Sequence, residues 1–435
     1  MIFSVASATE IHTATAAFVQ ASPQPGHIVE IDNSSSLQEI FVATAFRRFE
    51  TDVAPAPQSL RIALFSGNYN YVRDGANQSL NRLVAFFESQ GNVVRVYSPT
   101  SDTPAFPPAG TLVSVPSVSI PGRAEYRIAR GLTESLKQDI RDFAPDIVHL
   151  SAPDFLGHSA KKLAQDMGVP VVASFHTRFE TYLEYYGVGW ARPLGEALLR
   201  RFYAGLDEVF VTSAGFGDVL REQRLIGHSA VWSRGVDKTR FHPSKRALAW
   251  RRGLGIGDAE PVIAFVGRLV LEKGLDIVAA AAAELKARSV PHRLLIVGDG
   301  PARARFEAQV PDAIFTGALS GEALPIAFAS AEMLLNPSTT ETFGNINLEA
   351  MASGIPIVAA IATGSSCLIE DGVNGRLVAP GDIAGFADAL TLYLGNPGAR
   401  AAAGRAGLAM AQGYDWDTIN GAVLNRYRQI LSARA

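Results

Sequence analysis

The chain is 435 residues long and 48% hydrophobic, more than one core normally organises, so two globular domains are expected. A net charge of −3 disfavours a general electrostatic affinity for nucleic acid, and DNA and RNA are not expected partners. The single cysteine, Cys367, excludes an internal disulfide framework and a Cys-cluster metal site, and it fits a reducing compartment such as the cytoplasm.

The opening MIFSVASATEIHT lacks a basic n-region and a long apolar segment, and no run of about 18 apolar residues follows, so neither secretion nor a membrane span is expected. Residues 1–58 read as an N-terminal extension and linker. There SLQEIFVATAFRRFE puts Leu37, Ile40, Phe41, Ala45 and Phe49 on one helical face, and TDVAPAPQ has a Pro/Ala linker composition. From LRIALF onward an apolar run, a Gly-containing polar loop, a helix-period segment and a second apolar run, VVRVYS, follow in order: half of a doubly wound sheet. PDIVHLS, PVVASFH, VFVTS and SAVWSRGVD continue it, giving a Rossmann-like domain over 59–240. FHPSKRALAWRRGLGIGDAEP marks a change of domain. A second series, PVIAFVGRL, HRLLIVGDG, AIFTGA, AEMLLNP and IPIVAA, alternates with Ala-rich helical segments and places a second Rossmann-like domain over 241–414. Residues 415–435 form one more helix, able to cross back to the first domain. The fold class is α/β, and such sheets bind ligands at the carboxyl ends of their strands.

Two acids eight positions apart, Glu341 and Glu349, fall in ETFGNINLEA, between the strand MLLNPS and the strand IPIVAA. Glu341 belongs to the loop at the strand's carboxyl end and Glu349 to the following helix, which Gly354 ends. Gly344, Asn345 and Ile346 supply unpaired N–H groups at that helix start, a position that suits a phosphate. Acids flanking a phosphate site are suited to hydroxyls on either side of it, the pattern of a nucleotide sugar. Arg268 and Lys273 in FVGRLVLEKGLD lie just past a strand and form a diphosphate clamp, which also stabilises a departing diphosphate. Gly298 and Gly300 in IVGDGPAR make a tight turn that lets a base or ribose approach the backbone.

GRLVLEKGLD, VGDGP and the spaced acids inside ETFGNINLEAMASGIPIVA together resemble the retaining, nucleotide-sugar-dependent glycosyltransferases of the glycosyltransferase 4 family, which have the GT-B fold of two Rossmann-like domains with the nucleotide-sugar cleft between them. The resemblance spans roughly residues 60 to 430. SFHTRFETYLEYYG, VWSRGVDKTRFHP and PDIVHLSAPDFLG look most like sulfolipid synthases and lipid-directed α-mannosyltransferases. Position by position, the resemblance implies that Glu341 contacts the donor sugar, Glu349 the ribose, and Arg268 and Lys273 the diphosphate. Gly344 and Asn345 present backbone amides, His176 lies near the donor sugar, and Gly267, Gly298, Gly300, Phe343 and Ile346 complete the donor site. It further implies retention at the anomeric carbon, by same-face attack with the leaving phosphate as base. The first Gly-bearing loop departs from the family's double glycine, keeping only Gly75 beside Asp74 and Ala76, so its contact with acceptor or β-phosphate stays open.

Other readings stand beside these. His176, His149 and His158 also fit satisfied structural histidines, the last two more so. Asp415 and Asp417 in DWD mimic a metal-binding acid pair, but at a helix start they read as early helix acids, and no metal or cofactor is assigned. Tyr182, Tyr185, Tyr186 and Trp190, followed by Arg192, Arg200 and Arg201, fit either a core stripe or an interfacial patch on anionic membrane. The expected partners are a nucleotide sugar, UDP- or GDP-linked, and a hydroxyl acceptor, a glycerolipid or sphingolipid, reached from the inner face of the cytoplasmic membrane. A polysaccharide or soluble acceptor, a nucleotide-sugar 2-epimerase and a non-catalytic sugar-nucleotide sensor are the alternatives.

Overall fold

The computed structural model describes residues 59–72, 75–120, 123–176 and 189–434. The amphipathic stretch 37–49, the linker, Asp74, Tyr182, Tyr185 and Tyr186 lie outside them.

Two parallel sheets carry the chain. The first contains β1 (Arg61–Phe65), β2 (Val93–Ser98), β3 (Thr111–Ser114), β6 (Ile147–Leu150), β7 (Val171–Phe175), β8 (Glu208–Val211) and β9 (Ala230–Val231), in the order β3-β2-β1-β6-β7-β8-β9. A separate antiparallel hairpin, β4 (Ser117–Ile120) and β5 (Arg123–Ala129), is inserted in it. The second contains β10 (Val262–Val266), β11 (Arg293–Val297), β12 (Ile314–Gly317), β13 (Met333–Asn336), β14 (Ile357–Ala360) and β15 (Gly375–Val378), in the order β12-β11-β10-β13-β14-β15. The expectation of two Rossmann-like α/β halves is borne out. Both sheets reverse direction of winding beside their first strand, between β1 and β6 and between β10 and β13. There the following loops part to opposite faces and leave a crevice at the carboxyl edge.

The central strands are largely apolar because helices cover both faces. In β1, Ala63 and Phe65 enter one core and Ile62 and Leu64 the other; in β10, Val262 and Ala264 are separated in the same way from Ile263 and Phe265. Five helices position the residues discussed below: α1 (Gly75–Ser89), α2 (Phe155–Asp166), α3 (Arg192–Tyr203), α4 (Asn345–Ala352) and α5 (Trp416–Arg434). α2 starts where the Asp154 carboxylate accepts from Gly157 N at 2.7 Å. α4 starts after Gly344 at φ 90° and stops at Gly354 at φ 73°, both in left-handed backbone that favours glycine.

The terminal helix α5 packs on the first sheet, where Ile419, Val423, Leu424, Tyr427 and Ile430 share a core with Ile62, Leu64 and Ile147. His149 is buried there. Its Nδ1 bonds the Tyr427 hydroxyl and its Nε2 the Ser174 hydroxyl at 2.5 Å, and burial pushes its pKa down to about 3, so it is a neutral structural spacer. Where the chain crosses between halves, Val236 N donates to Tyr414 O at 3.0 Å, and a Cβ on Gly235 would come within 2.6 Å of the Trp416 ring. Glu208, 2% exposed, is held by Arg426 at 2.5 Å. Arg426→Met would leave that carboxylate buried and uncompensated. Because Arg426 is itself partly exposed, the expected loss is about 2 kcal/mol rather than the larger figure of a fully buried pair. Urea unfolding measures it, and Glu208→Gln in the same chain should recover most of the loss.

Candidate active site

The two loops beside the crevice of the second sheet bring opposite charges together. After β10 the chain runs through Gly267 and Arg268 into a single 3-10 turn, Leu271–Lys273, and after β13 through Pro337 to Glu341. Lys273 Nζ donates to Glu341 Oε1 at 2.5 Å, with both side chains partly buried, and Arg268, on the same loop as Lys273, is exposed. The glycines are explained by backbone contact between these loops. A Cβ on Gly298 would lie 1.8 Å from Gly267 O, and one on Gly300 2.4 Å from Leu269 O. Gly298 and Gly300 are thus required by the neighbouring loop itself, a physical reason different from room for a base or ribose. Gly364 closes the site from behind: its N donates to Glu341 O at 2.9 Å, and a Cβ there would meet Glu341 O at 2.6 Å. The sequence had pointed neither to Gly364 nor to the turn that carries it.

Helix α4 aims its N-terminus at the same crevice, with Phe343 buried beneath and Gly344, Asn345 and Ile346 forming the first turn. From across the crevice, the N-terminus of α1 meets it: a Cβ on Gly75 would be 2.8 Å from Asn345 Nδ2. Two helix N-termini therefore converge, and both contribute positive partial charge to one small volume. Glu349 follows Asn345 by one turn on the same face. Its Oε2 is shut off from solvent without a partner among the described residues. Burial pushes its pKa up to about 7, opposed by the charges of Arg240 and Arg82.

The first half supplies His176 at the end of β7. Thr342 Oγ1 donates to His176 O at 2.8 Å, while Thr212 Oγ1 donates to Thr342 O at 2.7 Å, so the loop carrying Glu341 is fastened directly to the first half. His176 Nδ1 faces Arg234 Nη2 at 2.8 Å, and Nε2 is buried with no partner among the described residues. Glu341, Lys273, Glu349, Asn345, Gly75 and His176 are thus gathered about one crevice. Asp415 and Asp417 are elsewhere: Asp415 caps α5, accepting from Thr418 N at 3.0 Å. His158 stands edge-on to Phe202, with ring centroids 4.9 Å apart.

Outside the crevice, the first half exposes an apolar stripe. Trp190, Leu194 and Leu198, spaced four apart along α3 and the turn before it, are 82%, 64% and 55% exposed, and Phe155 at the start of α2 is 68% exposed. Tyr203 is in the core. Lys161 joins the two helices by donating to Phe202 O and Ala204 O at 2.7 Å, and Arg200 and Arg201 are exposed at the end of α3. No helix among the described residues is long and apolar enough to cross a membrane.

Residues 73–240 match the family described as Glycosyltransferase Family 4, and residues 260–396 the one described as Glycosyl transferases group 1. A GDP-mannose-dependent alpha-mannosyltransferase of Corynebacterium glutamicum is 32% identical over 76% of this chain and 79% of its own. Sulfoquinovosyl transferase SQD2 of Arabidopsis thaliana is 30% identical over 83% and 72%, and an alpha-monoglucosyldiacylglycerol synthase of Streptococcus pneumoniae 27% over 73% and 75%. Among solved structures, a sucrose-phosphate synthase from Thermosynechococcus elongatus superposes with a TM-score of 0.72 at 21% identity, covering 86% of this chain and 100% of that one, which shows the common fold. The chain belongs to the GT-B glycosyltransferases of the glycosyltransferase 4 type, enzymes that draw on nucleotide-sugar donors.

The raised Glu349 pKa has a sign that stability measures without any ligand. A carboxyl that binds its proton more tightly when folded costs nothing below its ordinary 4.5, and the cost grows through the window from 4.5 to about 7. Glu349→Gln should therefore stabilise the protein at pH 8 by on the order of 3 kcal/mol and leave it unchanged at pH 4. Urea midpoints at the two pH values check it.

Proposed function

We propose that the chain moves a hexose from a UDP- or GDP-linked donor to a hydroxyl of a membrane lipid, a glycerolipid or sphingolipid. The transfer retains the anomeric configuration and uses no metal ion. The observation that carries the donor half is the Lys273–Glu341 pair, which joins the loop that carries Arg268 to the loop that leads into α4. Lys273, Arg268 and the N–H groups of Gly344, Asn345 and Ile346 hold the diphosphate and stabilise it as a leaving group, the neutralisation that a divalent ion performs elsewhere. Glu341 keeps Oε2 for the sugar hydroxyls. Glu349, whose buried Oε2 lacks a partner among the described residues, accepts from the ribose hydroxyls. The bond from the anomeric carbon to the diphosphate oxygen breaks, and that oxygen takes the proton of the acceptor hydroxyl. The hydroxyl oxygen then closes on the carbon from the same face. His176 lies beside the sugar on the first-half side.

The lipid acceptor is supported by two things: relatives that include the alpha-monoglucosyldiacylglycerol synthase, and the exposed stripe Phe155, Trp190, Leu194 and Leu198 with its cationic margin. Apolar burial and attraction to anionic headgroups act together there, the latter giving about 1 kcal/mol per Arg or Lys near the surface.

Transfer from GDP-mannose and UDP-glucose into diacylglycerol vesicles, with EDTA present throughout, tests the reaction. Glu341→Gln should lower kcat about a hundredfold while affinity for GDP or UDP holds, whereas Glu349→Gln should weaken GDP or UDP binding by about tenfold or more, the cost of a charge-assisted hydrogen bond. Equal losses of nucleotide affinity in both would contradict the separate roles, and activity restored only by added Mn²⁺ would contradict metal independence.

Cosedimentation tests the membrane surface. The wild type should bind anionic but not zwitterionic vesicles at low salt, and the double variant Arg200→Glu/Arg201→Glu should bind about tenfold more weakly. Full activity on a free oligosaccharide without vesicle binding would move the acceptor to a soluble sugar.

A further inference from the structure

Arg234 is 4% exposed, between β9 and the crossover to the second half. Its Nη1 donates to Trp232 O at 3.2 Å and Ser233 O at 3.3 Å, and its guanidinium lies 4.8 Å from the Trp232 ring centroid. Trp232 stands edge-on to His176 at 5.1 Å and is fixed in turn by donating from Nε1 to Asn420 Oδ1 at 3.2 Å. The guanidinium is therefore anchored on three sides, and its remaining contact, Nη2 to His176 Nδ1 at 2.8 Å, has chemical content. A guanidinium only donates. His176 Nδ1 must accept, so the ring proton sits on Nε2. A backbone carbonyl in the same place, the commoner partner, would impose the opposite tautomer.

We propose that Arg234 is a positioning residue of the transfer reaction: it locks His176 as the Nε2–H tautomer, so that the ring presents one fixed hydrogen-bond donor to the sugar being transferred. The proposal rests on the reading of His176 as facing the donor sugar. The backbone places Nε2–H suitably, since His176 O is bonded by Thr342, the neighbour of Glu341. Nε2, buried and without a partner among the described residues, is the ring atom that remains for a ligand. Burial, the Arg234 charge and the nearby His149 all hold the His176 pKa well below the ordinary histidine value, so the donor is a neutral N–H throughout the physiological range. Its role is then to polarise a sugar oxygen without exchanging a proton.

Long-range proton–nitrogen spectra of protein labelled in its 8 histidines read the tautomer directly, with His176→Gln identifying the signal. The wild type should show Nε2–H. Arg234→Met should release part of the ring to Nδ1–H and lower kcat about tenfold or more, with affinity for GDP and UDP within about threefold. Arg234→Lys, which also only donates, should keep the tautomer and recover most of kcat. A wild-type ring in the Nδ1–H form overturns the proposal without any variant. So does an unchanged kcat in Arg234→Met while His176→Gln is impaired, or an equal loss in Met and Lys variants that tracks nucleotide affinity. Full turnover of His176→Gln would overturn the donor-facing reading of the ring and the proposal with it.

Discussion

Backbone pressed against backbone at the carboxyl edge of the second sheet is the constraint from which the site follows. Gly298 against Gly267, Gly300 against Leu269 and Gly364 against Glu341 leave no room for a Cβ at these three junctions, and Gly274, in left-handed backbone, lies close against Pro337. Because these loops touch without intervening side chains, the few side chains they carry are delivered with little play. Lys273 and Glu341 meet at 2.5 Å although 68 positions separate them. Preorganisation of that kind is what electrostatic stabilisation of a leaving group demands, since donors that must reorient at the moment of reaction lose much of their effect.

The same crevice carries polar atoms that the fold does not satisfy. Glu349 Oε2 and His176 Nε2 are buried without partners among the described residues, one on each half. A buried carboxylate oxygen and a buried ring N–H each cost free energy that packing elsewhere must offset. They contrast with the buried groups that hold the halves in shape, such as His149 between Tyr427 and Ser174, or Glu208 on Arg426, where the atoms concerned are paired.

Between the halves the coupling is specific. Thr342 gives its hydroxyl to His176 O and takes that of Thr212, so the loop that holds Glu341 also reports the position of the first half. Opening the crevice would break these two bonds and part Gly75 from Asn345. Closure and assembly of the site are in this sense one event, with the crossovers at Gly235 and Tyr414 as the permanent connections.

Much was legible beforehand because its causes are local. Uninterrupted apolar runs announce strands covered on both faces, which is why nearly every strand of the two main sheets could be read. The exceptions, β3, β15 and the hairpin β4–β5, are short or half-exposed and carry no such run. The acids of ETFGNINLEA, the cations of GRLVLEK and Gly354 as a helix stop depend on spacing along one loop and helix, and the sequence by itself determined them. Tertiary structure decided what depends on distant pairs. Only the fold makes Lys273 the partner of Glu341, sets Thr342 on His176, gives Gly298 and Gly300 their reason in a neighbouring loop, and turns Trp190 outward while Tyr203 turns in. Arg234 lies in the stretch VWSRGVDKTRFHP, but nothing local gave it a role: an arginine after a strand gains its meaning from the imidazole 58 positions earlier that the sheet brings to within 2.8 Å.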